Sequence, residues 1–112
     1  AADESSQQKL IAEIHDYLVT HLDERITIEE LSHRYLINTS ALKLLFKETY
    51  GLPIAAYMKT YRIQHAAKLL RETTEPISSI AVSVGYETQS KFTNAFKAVM
   101  QQLPSEYRKS HR

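Results

Sequence analysis

Two short sets of side chains in this sequence have the chemistry to recognise a polyanion. One is Ser40, Lys43 and Lys47, with Leu44 among them; the other is Ser90, Thr93, Asn94 and Lys97, with Gln89 and Lys91 on its flanks in the first turn. Lysine can donate to guanine O6 and N7 or to phosphate, and asparagine or glutamine can pair bidentately with adenine N6 and N7. Serine and threonine hydroxyls, together with free amides at a helix start, suit phosphate oxygens. Leu44 fits a contact with a thymine methyl and, equally, an ordinary exposed leucine. Any one of these residues alone describes a solvated helix face. The same chemistry twice, in phase, is more specific.

The phase comes from a repeat. Residues 28–51 read IEELSHRYLINTSALKLLFKETYG, and residues 77–101 read ISSIAVSVGYETQSKFTNAFKAVMQ. Ile28, Leu31 and Ser32 correspond to Ile77, Ile80 and Ala81 at an offset of 49; Leu42, Phe46 and Lys47 correspond to Phe92, Phe96 and Lys97 at an offset of 50. One residue is inserted between the two halves of the unit, where a turn absorbs it. A helix-turn-helix unit repeated once belongs to a short list of folds, most of which bind DNA. At about 100° per residue, Leu42, Leu45, Phe46, Thr49 and Tyr50 share one arc, which is expected to be core. Phe92, Ala95, Phe96, Val99 and Met100 share the same arc of the second unit. The polar sets lie opposite.

The elements that must hold these faces read as helices throughout. Leu10, Ile14, Leu18 and Leu22 recur every four residues, with Ile11 beside them, and predict a first helix over about 6–21 after a frayed stretch 1–5. Thr27 to Glu30 has the form of a capping box opening a helix with Ile28, Leu31 and Tyr35 inward. Asn38-Thr39-Ser40 supplies the next cap, and Gly51 can take the left-handed conformation that ends that helix. Pro53 suits a first helical position, and the stretch to Arg71 runs without a breaker. Apolar residues on more than one face of that stretch predict a helix buried between two bodies, about 27 Å long at roughly 1.5 Å per residue. The second unit starts at Pro76, breaks at Gly85-Tyr86 and restarts at the Thr88 cap, and a short final helix follows Pro104-Ser105-Glu106.

The expected architecture is therefore all-α, with about seven helices. A first helix-turn-helix subdomain covers 1–51 (unit 28–50), a linker helix covers 52–72, and a second subdomain covers 73–112 (unit 77–100). Two recognition helices on one duplex face need a separation of about 34 Å, one helical turn of DNA. A linker helix with a body at each end can supply it.

Composition narrows the classes. A chain of 112 residues without cysteine has no disulfide framework, thiolate metal site or cysteine nucleophile, which suits a reducing cytosol. No apolar run approaches a membrane span, and the first residues do not read as a signal peptide. The net charge of +1 hides an asymmetry: residues 1–30 hold two basic against eight acidic residues, and 31–112 hold twelve against five. The first part is therefore −6 and the rest +7, and the acidic part is expected to face away from a duplex and offer a surface to another partner.

The residues also resemble a family. Gly51, Pro53, Tyr57, Arg62, Ala66 and Leu69-Leu70 down the linker helix, Ile80-Ala81 with Gly85-Tyr86, and the closing Pro104-Ser-Glu-Tyr-Arg108 are similar to the DNA-binding domain of AraC/XylS-type bacterial transcription regulators. The resemblance covers residues 8–108. It implies two helix-turn-helix subdomains reading successive major-groove segments, with base contacts at Ser40, Lys43, Leu44, Gln89, Ser90, Thr93 and Asn94. Thr39, Lys47, Thr88, Lys91 and Lys97 are the expected backbone contacts. It also implies a bacterial cytoplasmic protein at the nucleoid, contact with RNA polymerase, and an effector-sensing or dimerisation domain preceding such a unit. The family's frequent glycine before the Pro-Ser-Glu-Tyr stretch is Gln101 here, so that helix end must be capped differently.

Two rival classes compete with this reading. A helical protein-interaction module would use the repeat for packing alone. An enzyme lacks support: there is no His-Glu-x-x-His or Gly-x-Ser-x-Gly, two glycines cannot build a phosphate loop, and the five histidines have no ligand spacing. No cofactor, metal or catalytic residue is expected.

Overall fold

The computed structural model describes residues 4–112. The described residues form α1 (Glu4–Thr20), α2 (Ile28–Tyr35), α3 (Thr39–Tyr50), α4 (Ile54–Glu72), α5 (Ile77–Ser83), α6 (Gln89–Met100) and α7 (Pro104–Ser110), with no strand among them. None of these helices is long and apolar enough to cross a membrane. Helix α1 begins before the expected start, so residues 4 and 5 are helical; residues 1–3 lie outside the described part.

The chain divides into two compact units. One holds the described residues up to His21 together with Arg25–Met58, and the other holds Leu22–Glu24 together with Lys59–Arg112. In the first unit, Ile11, Ile14 and Leu18 of α1, Leu31 of α2, Leu42 and Phe46 of α3, and Ile54 and Met58 of α4 are buried. Ile28 and Tyr35 are half-buried rather than fully inward. His15 stacks on Tyr50 at 4.6 Å between ring centres and shares a 2.7 Å hydrogen bond with the Tyr57 hydroxyl, tying α1 to the end of α3 and the start of α4. Burial first, then Tyr57 and Asp16, raise the Tyr50 hydroxyl above its ordinary pKa of 10.0.

In the second unit one cluster joins Ile63, Ala66, Ala67 and Leu70 of α4, Ile80 and Ala81 of α5, Phe92, Ala95 and Phe96 of α6, and Tyr107 of α7. The end of α4 would leave carbonyls without helical partners. Arg108 supplies them, donating from Nε to Leu70 O at 3.2 Å and from Nη2 to Thr73 O at 3.3 Å.

Local rules account for most helix ends. Thr27 Oγ1 accepts from Glu30 N at 3.1 Å, so the first half of the expected capping box is present. Gly51 has φ +84° and donates its N–H to Lys47 O at 2.8 Å, closing α3. Gln101 closes α6 in the same way with φ +64°, and its side-chain Nε2 donates to Ala98 O at 3.3 Å. That is how the helix end manages without glycine. Three expectations shift. Pro53 stands one place before α4, where its carbonyl accepts from Tyr57 N at 2.9 Å. Thr49 is exposed and turns its hydroxyl back to Leu45 O, at 2.8 Å, so it leaves the core arc. Among the described residues the return bond that would complete the box at α2 is not formed.

Candidate nucleic-acid interface

Helix α3 presents Ser40, Lys43, Leu44 and Lys47 outward, because Leu42 and Phe46 on the opposite side are fully buried. Helix α6 repeats the arrangement: Phe92, Ala95 and Phe96 are buried, while Gln89, Ser90, Asn94 and Lys97 are exposed, with Lys91 beside them. Leu44 is 61% exposed, so nothing within its own unit gives this leucine a buried place. Thr39 and Thr93 are half-buried, and Thr88 is exposed.

The helix starts are less open than expected. Asn38 Oδ1 accepts from both Ser40 N, at 2.8 Å, and Ala41 N, at 3.2 Å. Thr88 Oγ1 accepts from Lys91 N at 3.1 Å. These three amides are taken by the caps, which narrows the expectation of free amides to Thr39 N at α3 and to Gln89 N and Ser90 N at α6, which form no bond among the described residues. The Thr88 hydroxyl keeps its own proton to donate, as do Ser40 and Ser90.

The lysines are not equivalent. Among the described residues Lys43, Lys47 and Lys97 have no carboxylate within ion-pair distance, whereas Lys91 Nζ lies 3.3 Å from Glu87 Oε2 one turn earlier. Lys91 and Glu87 together carry no net charge, and Glu87 sets a carboxylate beside the start of α6. The i, i+4 spacing of this pair is legible in the sequence. Lys43 and Lys47, both exposed, border an apolar cleft of about 270 Å³ with Ile28, Pro53 and Ile54. Gln89 and Thr93 line a second cleft, about 230 Å³, with Ile77, Leu103, Pro104 and Ser105, which is why Thr93 is half-covered. Sequence periodicity placed Thr93 on the outer face but had no means of seeing α7 beside it.

The turn between α2 and α3 contains a residue that periodicity passed over. Leu36 has φ +51° and ψ +47°, and its side chain is 92% exposed. Its counterpart in the repeat, at the offset of 49, is Gly85, with φ +94°. A glycine position in one half is thus a strained leucine in the other.

Comparison with known proteins agrees with this geometry. Residues 31–110 match the helix-turn-helix domain family. The chain is 32% identical over 104 residues to the transcriptional regulator Rob of Salmonella typhimurium, covering 93% of this chain and 36% of that protein. It is 39% identical over 83 residues to a putative AraC-like transcription regulator of Streptomyces antibioticus, covering 74% of this chain and 27% of the relative. The chain thus spans about a third of the length of such relatives. Its fold is that of the DNA-binding domain of the global transcriptional factor AdpA, solved in complex with a target DNA, with a TM-score of 0.85, 22% identity and coverage of 91% and 92%. The chain belongs to the AraC-type helix-turn-helix family of DNA-binding transcription regulators.

Proposed function

We propose that this chain binds double-stranded DNA with sequence preference, with α3 and α6 entering successive major-groove segments. The observation that carries the reading is the pair of outward helix faces, each backed by a buried apolar arc, with Lys43 and Lys47 on α3 and Lys97 on α6 free of any carboxylate partner among the described residues. Lys43, Gln89 and Asn94 read bases, with Leu44 against a thymine methyl and Thr93 at the edge of its cleft. Lys47, Lys97, Ser40, Ser90, Thr39 and Thr88 hold the backbone, and Lys91 does so in competition with Glu87. In domain terms, 1–51 and 73–112 act as the two reading subdomains and 52–72 as their linker.

The same reading places the protein in the bacterial cytoplasm at the nucleoid, without enzymatic activity. It includes RNA polymerase as a partner and an N-terminal effector-sensing or dimerisation domain in the whole protein; the short share of the relatives that this chain spans supports a larger whole.

Titration of fluorescent duplexes selected from a random pool, at low and at physiological salt, tests the reading. A duplex reader binds selected sequences above random ones and loses affinity steeply with salt, because bound phosphates release counterions. A folded protein that binds no duplex at low salt refutes it and favours a protein-interaction module.

A further inference from the structure

The two halves of the repeat close their turns by different means. In the first half, Ile37 N donates to Ser32 O at 3.1 Å, and the Ser32 hydroxyl donates to Ile37 O at 2.5 Å. The closure is local, made within five residues of chain. In the second half the backbone bond recurs, from Tyr86 N to Ala81 O at 2.9 Å, but Ala81 stands where Ser32 was and has no hydroxyl to give.

Arg62 of α4 instead holds this turn from a distance, at the Val84 carbonyl two residues before Tyr86. Its side chain is buried, with the residue only 4% exposed. Nη1 donates to Val84 O at 2.9 Å and to Leu22 O, and Nη2 donates to Glu24 O at 3.2 Å. Val84 is the last residue before the left-handed Gly85, and Thr88, the cap of α6, follows three places later. A Cβ at Gly85 would overlap the Arg62 guanidinium and the Leu22 carbonyl, so this turn has to be glycine. Leu36, whose side chain stands in solvent, meets no such neighbour.

A buried guanidinium is costly unless its donors are used, and its planar fork holds several carbonyls in one geometry where an ammonium cannot. We infer that Arg62 is a positioning residue for DNA reading: from α4 it sets the α5–α6 turn, and through it the angle at which Gln89, Ser90, Thr93 and Asn94 meet the bases. The turn of the first half is closed by Ser32, and Arg62 reaches only the Leu22 and Glu24 carbonyls ahead of α2, not that turn. This inference rests on the DNA-reading function proposed above.

The test is selection of bound sites from random duplexes, read position by position, for the wild-type chain, Arg62→Lys and Gly85→Ala. The lysine variant keeps the charge and loses the fork; the alanine variant keeps Arg62 and pushes it off the turn. Preference at the bases read by α6 should fall roughly tenfold in both, about one base contact's worth, with preference at the bases read by α3 retained. A uniform loss over both halves, unfolding included, makes Arg62 structural only and overturns the inference, as does an unchanged profile. If the wild-type chain itself selects no duplex, the function proposed above fails instead, which separates the two outcomes.

Discussion

The pairing of Lys91 with Glu87 makes a quantitative prediction about salt. Each phosphate neutralised by a cation contributes about −0.9 to the slope of log affinity against log salt. Between about 50 and 200 mM salt, one lysine on a phosphate therefore accounts for roughly a 3.5-fold loss of affinity. Lys97 has no carboxylate partner among the described residues, so Lys97→Ala should flatten the slope by about 0.9. Lys91 sits 3.3 Å from Glu87, and the exposed pair brings no net charge to the duplex. Lys91→Ala should flatten the slope by less than half as much. Glu87→Gln should steepen the slope and strengthen binding to all sequences at low salt, because it removes a carboxylate beside the start of α6. Fluorescence anisotropy with a selected and a scrambled duplex at four salt concentrations reads all three. Equal slopes for the two lysine variants, or no gain from Glu87→Gln, would show that the ion pair dissolves in the complex and that the reasoning from it is wrong.

Other expectations follow from packing and backbone. Leu36 and Gln101 hold left-handed backbone at about 1–2 kcal/mol each, partly offset by the greater freedom glycine has when unfolded. Leu36→Gly and Gln101→Gly should therefore each raise stability, by up to about 1 kcal/mol in urea melts; a loss at either site would mean its side chain holds a contact worth more than the strain. Phe46, fully buried beneath the outer face of α3, should cost about 3–5 kcal/mol on change to alanine. Leu44→Ala, 61% exposed, should stay within about 0.5 kcal/mol while altering base preference at one position, and a melt that moved as far as that of Phe46→Ala would place Leu44 in the core. The raised pKa of Tyr50 favours its neutral form in the fold. Its contribution is complete below the unfolded value near 10.0 and is lost as pH climbs through the folded value, so Tyr50→Phe should melt with a shallower decline above about pH 10. Parallel declines for the two proteins would count against it.

Much of the fold was legible because its signals are local. The period of the buried residues, the caps at Thr27, Asn38 and Thr88, and the stop at Gly51 each depend on residues within a turn or two of one another. The outer faces of α3 and α6 were legible for the same reason, since burying Leu42 and Phe46, or Phe92 and Phe96, leaves the opposite side no alternative. The details of those faces were less so. The Asn38 cap holds two helix-start amides near Ser40, so fewer amides are left for a phosphate than residue type suggests. Thr93 and Gln89 gained a neighbour in α7, whose approach depends on how Tyr107 packs against Phe96.

The repeat itself shows the division most clearly. The sequence determined that one helix-turn-helix unit is used twice, because a 3.6-residue period and a shared core phase are properties of the chain alone. It also displayed Ser32 against Ala81 and Leu36 against Gly85, without saying what the exchange meant. Only the tertiary structure decided that the second turn is closed by Arg62, which lies 22 residues from Val84 and 40 from Leu22 along the chain. Hydrogen bonds of that span belong to the folded packing and leave no periodic trace in the order of residues.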